Sequence, residues 1–364
     1  MNWLFYILIF LGIASLLTDV LLILFWKNNK AGKLVGELPK ISILVAARNE
    51  EKNIGRCLDS LLKLDYPVEK LEILVGNDAS ADGTAEILAK YAEKHNHIST
   101  LNITSQLGKA AAKANVLAHL AKVAQGEYFY ITDADIQVSQ QWIKGLLAHQ
   151  KASDGIVSGM TTVNGSGWWV KFQNIEWMNA LGMVKVVSDM KIPVTAIGNN
   201  MMVTRAAYEA TGGYENIKPS IVEDFQLTKE VVRQGYTISN IVDGAVLATT
   251  VPPDSLSTLL NQRKRWMQGT FQLPLLLIFV LSIQSLTIPI VIGLLFFNYK
   301  LAVTYFLAKI ILRIAYNGKL FKSVHQKVSF VPILLYEFYA VVITLLMMLF
   351  YLLPVKIDWK GRKY

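Results

Sequence analysis

Long apolar stretches restrict this chain to folds that lie in or against a membrane. The clearest are residues 2–26, interrupted only by Asp19, residues 273–297, which carry no charge, and residues 330–353, interrupted only by Glu337. Each is long enough to cross a bilayer, which takes about 20 apolar residues. They raise the hydrophobic share to 53%, above the usual range for a soluble domain. The sequence therefore predicts an integral membrane protein.

The first stretch is predicted to be an uncleaved membrane anchor, residues 1–27. A signal peptide would have a basic segment before it and a small-residue cleavage site after it, and neither is present. Lys27, Lys30 and Lys33 follow the stretch, and basic residues mark the cytoplasmic side of a membrane segment. We therefore expect the next part of the chain to be cytoplasmic, and we assign the membrane to the bacterial inner (plasma) membrane.

The C-terminal region, residues 271–364, is predicted to cross the membrane twice. Residues 301–316 contain Lys309 and Arg313, so this shorter segment fits a third span, a re-entrant segment or a surface helix. The basic residues 360–363 favour the cytoplasm, which requires an even number of crossings after the cytoplasmic part. The net charge of +9 includes many basic residues beside apolar stretches, which favours a membrane surface over nucleic acid as the partner.

Residues 40–250 are predicted to form an α/β domain. Apolar runs of strand length at 41–47, 71–76, 98–103 and 128–131 alternate with helical patterns at 50–64, 84–91 and 109–122. Such alternation implies right-handed crossovers and a mostly parallel sheet. Cys57, the single cysteine, cannot form an internal disulfide, and its place in an apolar helical stripe indicates packing rather than catalysis.

Polar clusters follow three of these strands. They are Arg48-Asn49-Glu50, Asn77-Asp78-Ala79-Ser80 and Asp133-Ala134-Asp135. Because sheets of this kind bind ligands at the carboxyl ends of their strands, we expect one shared site. If the strand geometry continues past Ile131, Asp133 and Asp135 point to the same side and suit a divalent cation such as Mg²⁺ or Mn²⁺. A solvated turn is the alternative interpretation.

The segment 252–270 is predicted to be an amphipathic helix at the membrane interface. It follows Pro252-Pro253 and combines Leu256, Leu259 and Leu260 with Arg263, Lys264, Arg265 and Trp266, which is the composition of an interfacial helix. Gln262, Arg265 and Trp266 occupy neighbouring positions on its surface. Arg265 can bind a pyrophosphate through two nitrogens, although snorkelling and interfacial packing would also explain Arg265 and Trp266.

These motifs together resemble membrane-bound family 2 glycosyltransferases with a GT-A fold. The resemblance rests on residues 43–51, Gly76–Thr84, Asp133-Ala-Asp135, Glu223-Asp224 and Gln262-Arg-Lys-Arg-Trp266, which occur in the same order and at similar spacings over residues 41–270. The C-terminal residues 359–364 are similar to the tail of ceramide-glucosyltransferase-like members. The complete Gln-x-x-Arg-Trp motif is also frequent in processive enzymes, so single and repeated sugar addition both stay open.

The resemblance implies a role for each acidic motif. Asp224, the second acid of its pair with Glu223, would be the general base that accepts the acceptor's proton, with inversion at the sugar. Asp135 would hold the metal, and Asp133 would contact the ribose or act as a second ligand. Acidic residues in the first turn of a helix are also favoured by the helix dipole alone, which is a simpler explanation for Glu223 and Asp224.

The resemblance also indicates which residues bind the substrates. On the donor side, Asp78 would accept a hydrogen bond from a uracil ring N–H, and Ala47, Arg48 and Glu50 would line the base and ribose. Lys109, predicted in the first turn of a helix, suits an anionic group. Arg265, Gln262 and Trp266 would contact the pyrophosphate and the sugar, and Asn199 and Asn200 would lie in an acceptor-side loop.

The sequence thus predicts a membrane-bound, metal-assisted, inverting glycosyltransferase. Its donor would be a nucleotide-sugar, most simply a UDP-sugar, and its acceptor a lipid or lipid-linked group. The alternatives are a small processive polysaccharide synthase and a catalytically silent nucleotide-sugar-binding scaffold. An aromatic and basic helix around Trp168, Trp169, Phe172 and Trp177 would either contact lipid headgroups or pack on the sheet.

Overall fold

The computed structural model describes residues 3–273, 275–354, 358–360 and 362–363. The chain divides into two compact units. The α/β unit comprises Asn28–Asn164 and Val187–Val251, and the helical unit comprises Met1–Lys27, Gly165–Val186 and Pro252–Tyr364. The predicted boundaries of 40–250 are therefore corrected, because residues 165–186 belong to the helical unit.

The first half of the α/β unit contains the alternating elements predicted from the sequence. They are β1 Ile41–Ala47, α2 Ile54–Leu61, β2 Leu71–Asn77, α3 Thr84–Lys94, β3 Ile98–Asn102, α4 Ala112–Val123 and β4 Tyr128–Asp133. The second half contains α5 Trp142–His149, β5 Asp154–Ser158, β6 Thr161–Val163, β7 Asn200–Thr204, α7 Arg205–Ala210, α8 Glu223–Arg233, β8 Thr237–Asn240 and β9 Ala248–Thr250.

One mixed sheet organises this unit. Its strand order is β3-β2-β1-β4-β7-β5-β8. Strands β1 to β4 run parallel to one another, whereas β7 runs antiparallel to both β4 and β5. In the register of β1, Ala46 lies beside Asp133 and Ala47 lies beside Asn77. The polar segments that follow β1, β2 and β4 therefore begin side by side at one edge.

The sheet is buried on both faces at β1, β2 and β4, which explains why these strands read as continuous apolar runs. Alternate residues of β1 point to opposite faces of the sheet. Ile43 and Val45 belong to the same apolar cluster as Cys57 of α2, and Leu44 belongs to the cluster on the other face, with Leu120 of α4. Cys57 is fully buried, as predicted for a packing residue.

The helical unit contains seven helices among its described residues. They are α1 Trp3–Leu24, α6 Trp168–Asp189 (of which residues 168–186 lie in this unit), α9 Leu256–Thr270, α10 Leu275–Ile283, α11 Thr287–Leu295, α12 Tyr299–Ser323 and α13 Phe330–Leu352. A short antiparallel pair follows, β10 Asp358–Trp359 and β11 Arg362–Lys363. Of the C-terminal residues 359–364 that resemble the ceramide-glucosyltransferase tail, Gly361 and Tyr364 lie outside the described residues.

Among the described residues, four segments are long and apolar enough to cross a membrane, namely Trp3–Leu24, Leu275–Leu295, Tyr299–Ser323 and Phe330–Leu352. Three of them follow the α/β unit, whereas the sequence favoured two. The additional one, α12, contains residues 301–316, which the sequence left open because of Lys309 and Arg313. An odd number of crossings would place residues 360–363 on the membrane face opposite the residues that precede Leu275.

Lys309 and Arg313 are compatible with a membrane helix because neighbouring helices neutralise them. Lys309 Nζ lies 2.7 Å from the carboxylate of Asp19 in α1, and Arg313 Nε lies 3.0 Å from the carboxylate of Glu337 in α13. Both cations also donate to Gln284 Oε1, each at 2.9 Å. Charged residues in membrane helices pair with one another in this way, so the sequence signal that argued against a span reflects pairing between helices.

The aromatic helix α6 packs on the other helices of its unit. The Phe172 ring stacks on Tyr339 of α13 with centroids 5.1 Å apart, and the Trp177 ring lies 4.8 Å from Trp266 of α9. Trp169 Nε1 donates to the Pro253 carbonyl at 3.0 Å. The interpretation that these aromatic residues pack on the sheet is thus corrected, although Trp168 is half exposed.

A glycine in β2 sets how closely α4 approaches the sheet. A Cβ added at Gly76 would lie 2.3 Å from Val116 Cγ1, and Val116 is itself buried. We predict that Gly76→Ala destabilises the α/β unit by about 1–3 kcal/mol through overpacking, measured as a loss of thermal stability in detergent. The control is Gly55→Ala in α2, where the added Cβ meets only Tyr91 Oη at 3.5 Å. Equal melting temperatures for the two variants would contradict this account of the packing.

Candidate active site

The loops after β1 and β2 are bonded to each other and bring Ala47, Arg48 and Asp78 together. The Asp78 N–H donates to the Ala47 carbonyl at 2.9 Å. Arg48 Nη1 donates to the Asp78 carbonyl at 2.5 Å and lies 4.0 Å from its carboxylate. The left-handed backbone at Asn49 and Ala79, with φ of 53° and 50°, turns both loops sharply. These contacts place the predicted base- and ribose-binding residues at the same edge.

Glu50 helps to order these loops. Its N–H donates to Thr84 Oγ1 at 2.8 Å, and its Oε2 accepts from Asn53 Nδ2 at 2.9 Å just before α2. The residue is buried. The Glu50 backbone thus joins the loop after β1 to the start of α3, and its carboxylate orders the turn before α2. Its contact with the base and ribose stays a prediction.

A lysine that the sequence analysis missed connects three elements of the site. Lys113 lies in the first turn of α4. Its Nζ is 2.6 Å from Asp133 Oδ1, at the end of β4, and 2.8 Å from Glu223 Oε1, at the start of α8. Burial lowers the pKa of the Lys113 ammonium, but the charges of Asp133 and Glu223 outweigh it and raise that pKa above its ordinary value. Lys113 is therefore a permanent cation among these acids.

Lys109, the cation predicted from the sequence, lies outside the helix. Helix α4 begins at Ala112 because Gly108 adopts a left-handed conformation (φ +52°) and the next residues form a turn. In this turn the Lys109 N–H donates to the Glu215 carbonyl at 2.8 Å, and the side chain is exposed. The assignment of Lys109 to the first helical turn was wrong. Lys113, four residues later, lies in the first turn instead.

Asp224 is held next to this cluster by main-chain donors. Its Oδ2 accepts from the Gly198 N–H at 2.9 Å, and its Oδ1 accepts from the Phe225 N–H at 2.8 Å. Burial, followed by the charge of Glu223, raises the pKa of the Asp224 carboxyl to about 6, against the opposing effect of Lys113. A carboxylate with such a pKa is suited to accept a proton near neutral pH.

Strand β4 extends two residues past Ile131, as the Asp-x-Asp prediction required, but the chain turns at the residue between the two acids. Strand β4 ends at Asp133, and Ala134 and Asp135 form a turn, so strand alternation does not align Asp133 with Asp135. Asp135 Oδ2 instead lies 3.5 Å from Thr250 Oγ1, and its carbonyl accepts from Arg56 Nη2 at 3.1 Å. Within the described ranges, no group of three or more His, Cys, Asp or Glu side chains could hold a metal ion.

The two asparagines of the acceptor-side loop differ in environment. Asn199 is half-buried, its Oδ1 accepts from Thr161 Oγ1 at 2.7 Å, and its carbonyl accepts from Thr132 Oγ1 at 2.9 Å. Asn200 is fully buried. Its Nδ2 donates to the Met160 and Val246 carbonyls at 2.7 and 2.9 Å, and its Oδ1 accepts from Trp142 Nε1 at 2.7 Å. The prediction of Asn200 as a substrate contact is corrected, because its amide holds the fold.

In the helical unit, α9 carries Gln262, Arg265 and Trp266 as predicted, and its neighbour Arg263 makes an ion pair. Arg263 donates to both carboxylate oxygens of Glu176 in α6, at 2.9 and 2.8 Å, and to Gln262 Oε1 at 2.7 Å. Its guanidinium also lies 4.3 Å from the Trp266 ring centroid. Arg263 thus fixes the side chains of Gln262 and Trp266 within this unit, a role that the sequence did not indicate.

A sequence model of glycosyl transferase family 21 matches residues 4–364, nearly the whole chain. The chain belongs to glycosyl transferase family 21. This confirms the resemblance to ceramide-glucosyltransferase-like enzymes and shows that the protein is a glycosyltransferase.

Curated relatives agree with this family. The chain is 28% identical over 321 residues to a probable glycosyltransferase, YdaM, from Bacillus subtilis, covering 85% of this chain and 72% of that protein. It is also 28% identical over 243 residues to the beta-monoglucosyldiacylglycerol synthase of Trichormus variabilis, covering 66% of this chain and 51% of that protein. The chain thus spans about half the length of the second relative.

A solved structure confirms the fold. The mannosyltransferase PcManGT from Pyrobaculum calidifontis, determined in complex with GDP-Man and Mn²⁺, superposes with a TM-score of 0.61 at 19% identity and covers 95% of this chain and 99% of its own. At this identity the likeness establishes the GT-A fold with membrane-capable helices flanking the α/β unit, as the sequence predicted.

Gly198 limits the space around the Asp224 carboxyl. A Cβ added at Gly198 would lie 2.6 Å from both Asp224 Cβ and Oδ2, so Gly198→Ala must move the carboxyl. We predict a loss of sugar transfer on the order of 100-fold, as expected for a reacting group displaced by about 1 Å, together with a loss of about 1–3 kcal/mol of stability through overpacking. Steady-state kinetics on purified protein would measure it, with Gly55→Ala as the control. Unchanged kcat in Gly198→Ala would show that the position of Asp224 does not control the reaction.

Proposed function

We propose that this glycosyltransferase moves a sugar from a nucleotide-sugar, a UDP-sugar, to the hydroxyl of a lipid or lipid-linked acceptor with inversion at the anomeric carbon. The observation that carries the proposal is the Asp224 carboxylate. It has a raised pKa, is oriented by the Gly198 and Phe225 N–H groups, and lies beside Glu223, which Lys113 ties to Asp133.

On the donor side, Asp78 accepts from the ring N–H of the uracil, and Ala47 and Arg48 line the base and ribose. The connected loops after β1 and β2 support this assignment. Lys113, in the first turn of α4, already pairs with Asp133 and Glu223, so we assign it to holding these two acids. Lys109 keeps its predicted role as a cation for the diphosphate. Arg265, with Gln262 and Trp266, is assigned to the pyrophosphate and the sugar by its place in the motif on α9.

In the reaction, the acceptor oxygen forms a bond to the anomeric carbon while the bond from that carbon to the β-phosphate oxygen breaks. The acceptor proton passes to the Asp224 carboxylate, and the nucleoside diphosphate leaves with the bonding electron pair. Burial and then the charge of Glu223 keep the pKa of the Asp224 carboxyl high, which strengthens Asp224 as a base. The acceptor oxygen attacks the anomeric carbon from the face opposite the leaving group, so the configuration at that carbon inverts.

The donor set fits a divalent cation that takes its other ligands from the substrate. Asp133 and Asp135 offer carboxylate oxygens, the ligands that Mg²⁺ and Mn²⁺ prefer, and such ions commonly bind one or two carboxylates plus phosphates. Since Lys113 already pairs with Asp133, Asp135 is assigned as the main ligand and Asp133 as the second. When bound, the cation would offset the charge on the leaving diphosphate.

The acceptor is assigned to membrane lipids on two grounds. The part of the chain that the structure describes has four membrane-capable helices, and the name of one relative describes a synthase of a glucosylated diacylglycerol. The α/β unit is placed in the cytoplasm, at the inner (plasma) membrane of a bacterium. This placement rests on Lys27, Lys30 and Lys33 after the first membrane helix.

The assignment is tested by transfer of label from radioactive UDP-sugars in lipid nanodiscs containing Mn²⁺ or Mg²⁺. Wild-type protein is expected to form a lipid-soluble labelled product, and Asp224→Asn to lower kcat by about 100- to 10,000-fold, the usual contribution of a general base, with donor affinity near normal. Asp65→Asn is the control, since Asp65 is an exposed acid of the same unit that pairs with Lys144.

Other results would favour the alternatives. An immobile labelled polymer would indicate a processive synthase, and donor binding without any transfer would indicate a silent scaffold. Loss of donor binding in Asp224→Asn would show that this residue binds the donor and is not the base.

The pH profile gives a second test of Asp224. Because the carboxylate is the active form, kcat/KM is expected to fall as pH drops through about 6, by about tenfold per pH unit below it. The charge of Glu223 raises this pKa, so Glu223→Gln should move the acid limb to lower pH. A limb that stays in place in Glu223→Gln would assign the titration to another group.

A further inference from the structure

The helical unit contains a cavity whose lining combines apolar surface with several polar side chains. Its volume is about 160 Å³, and it lies between α6, α10, α12 and α13. Cavities of about 150 Å³ can hold a molecule the size of benzene. Its polar lining consists mainly of Glu176, Asn179, Gln284, Arg313, Tyr336 and Tyr339. Leu281 and Ile343 contribute apolar surface, so the lining suits an amphiphilic molecule.

Two buried amides in this lining have unused hydrogen-bonding capacity. Among the described residues, neither Asn179 Nδ2 nor Asn179 Oδ1 has a hydrogen-bond partner, and Gln284 Nε2 has none either. Asn179 is 6% exposed and Gln284 is 8% exposed. The Gln284 oxygen accepts from both Lys309 and Arg313, which fixes the orientation of its amide. Buried polar groups without partners are rare in folded proteins, so these amides indicate a ligand that both donates and accepts hydrogen bonds.

The charges in the lining are already compensated. Glu176 pairs with Arg263 through both carboxylate oxygens and accepts from Tyr339 Oη at 3.1 Å. Arg313 pairs with Glu337 at 3.0 Å. A phosphate group would need a cation that is not neutralised, since a buried charge is costly unless it is paired. The lining therefore favours an uncharged group, and a hydroxyl, which donates and accepts, matches the amides.

We propose that this cavity binds the uncharged, hydroxyl-bearing head of a membrane lipid, with the acyl chains outside it. The binding itself follows from the lining. Only the further role of this lipid as the acceptor rests on the proposed function.

The test uses full-length protein in phosphatidylcholine nanodiscs with a photoreactive diacylglycerol as the probe. Crosslinks are expected on peptides of α6 and α13, and unlabelled diacylglycerol should compete whereas phosphatidic acid with the same chains should not. Asn179→Leu removes the free amide, and Ala340→Phe fills the cavity from α13. Each should lower labelling at least fivefold.

The matched control is Asn174→Leu, which makes the same change on the same helix outside the cavity lining. It should label like the wild type. Since Asn179→Leu removes a buried amide without partners, its thermal stability should equal or exceed that of the wild type. The proposal would be overturned if both cavity variants were labelled as strongly as the wild type, or if phosphatidic acid competed as well as diacylglycerol. An absence of labelling in the wild type would show that the cavity holds only water, and would also overturn it.

Kinetics on the same samples separate this proposal from the proposed function. If the bound lipid is the acceptor, Asn179→Leu should raise the KM for diacylglycerol at least fivefold and leave the KM for the UDP-sugar unchanged. Reduced labelling with unchanged kinetics supports the site and identifies a resident lipid instead. Labelling without sugar transfer in the wild type would reject the proposed function and leave the lipid site standing.

Discussion

The position of β1 between β2 and β4 determines where the candidate site can form. Parallel pairing puts the carboxyl ends of three strands at one edge, so the chain must turn there three times with polar residues. Arg48 and Asp78 meet because their loops leave adjacent strands, and Asp133 is the residue at which β4 ends. The buried apolar faces on both sides of β1 hold this pairing in place, and the chemistry at the edge depends on them.

Charge compensation between distant parts of the sequence recurs in both units. In the α/β unit, Lys113 neutralises Asp133 and Glu223, which lie ninety residues apart in the chain. In the helical unit, Lys309 pairs with Asp19, which lies near the other end of the sequence. In a low-dielectric setting an unpaired charge would be costly, so each pair also constrains which elements can be neighbours. In the α/β unit the compensation is incomplete, and Asp224 retains a raised pKa.

The sequence predicted the elements better than the contacts between them. The order of strands and helices up to β4 followed from periodicity, because β1, β2 and β4 are apolar strands buried on both faces and helical patterns separate the strands. The roles of Lys113 and Asn200 could not be assigned from periodicity. The position of Lys113 depends on a turn that delays the start of α4, and the role of Asn200 depends on three hydrogen-bond partners that are distant in sequence. Residues 301–316 looked too charged for a span because their partners, Asp19 and Glu337, are remote in sequence.

The path of α6 has a practical consequence for expression of the α/β unit. This helix comes between β6 and β7 in sequence, but most of it packs within the helical unit. There Phe172 contacts Tyr339 and Trp177 contacts Trp266. A fragment cut before Asn28 and after Val251 would keep these aromatic residues and lose the surfaces that cover them. Large uncovered apolar patches lead to aggregation, so a water-soluble version of the α/β unit requires replacement of residues 165–186 by a short polar linker.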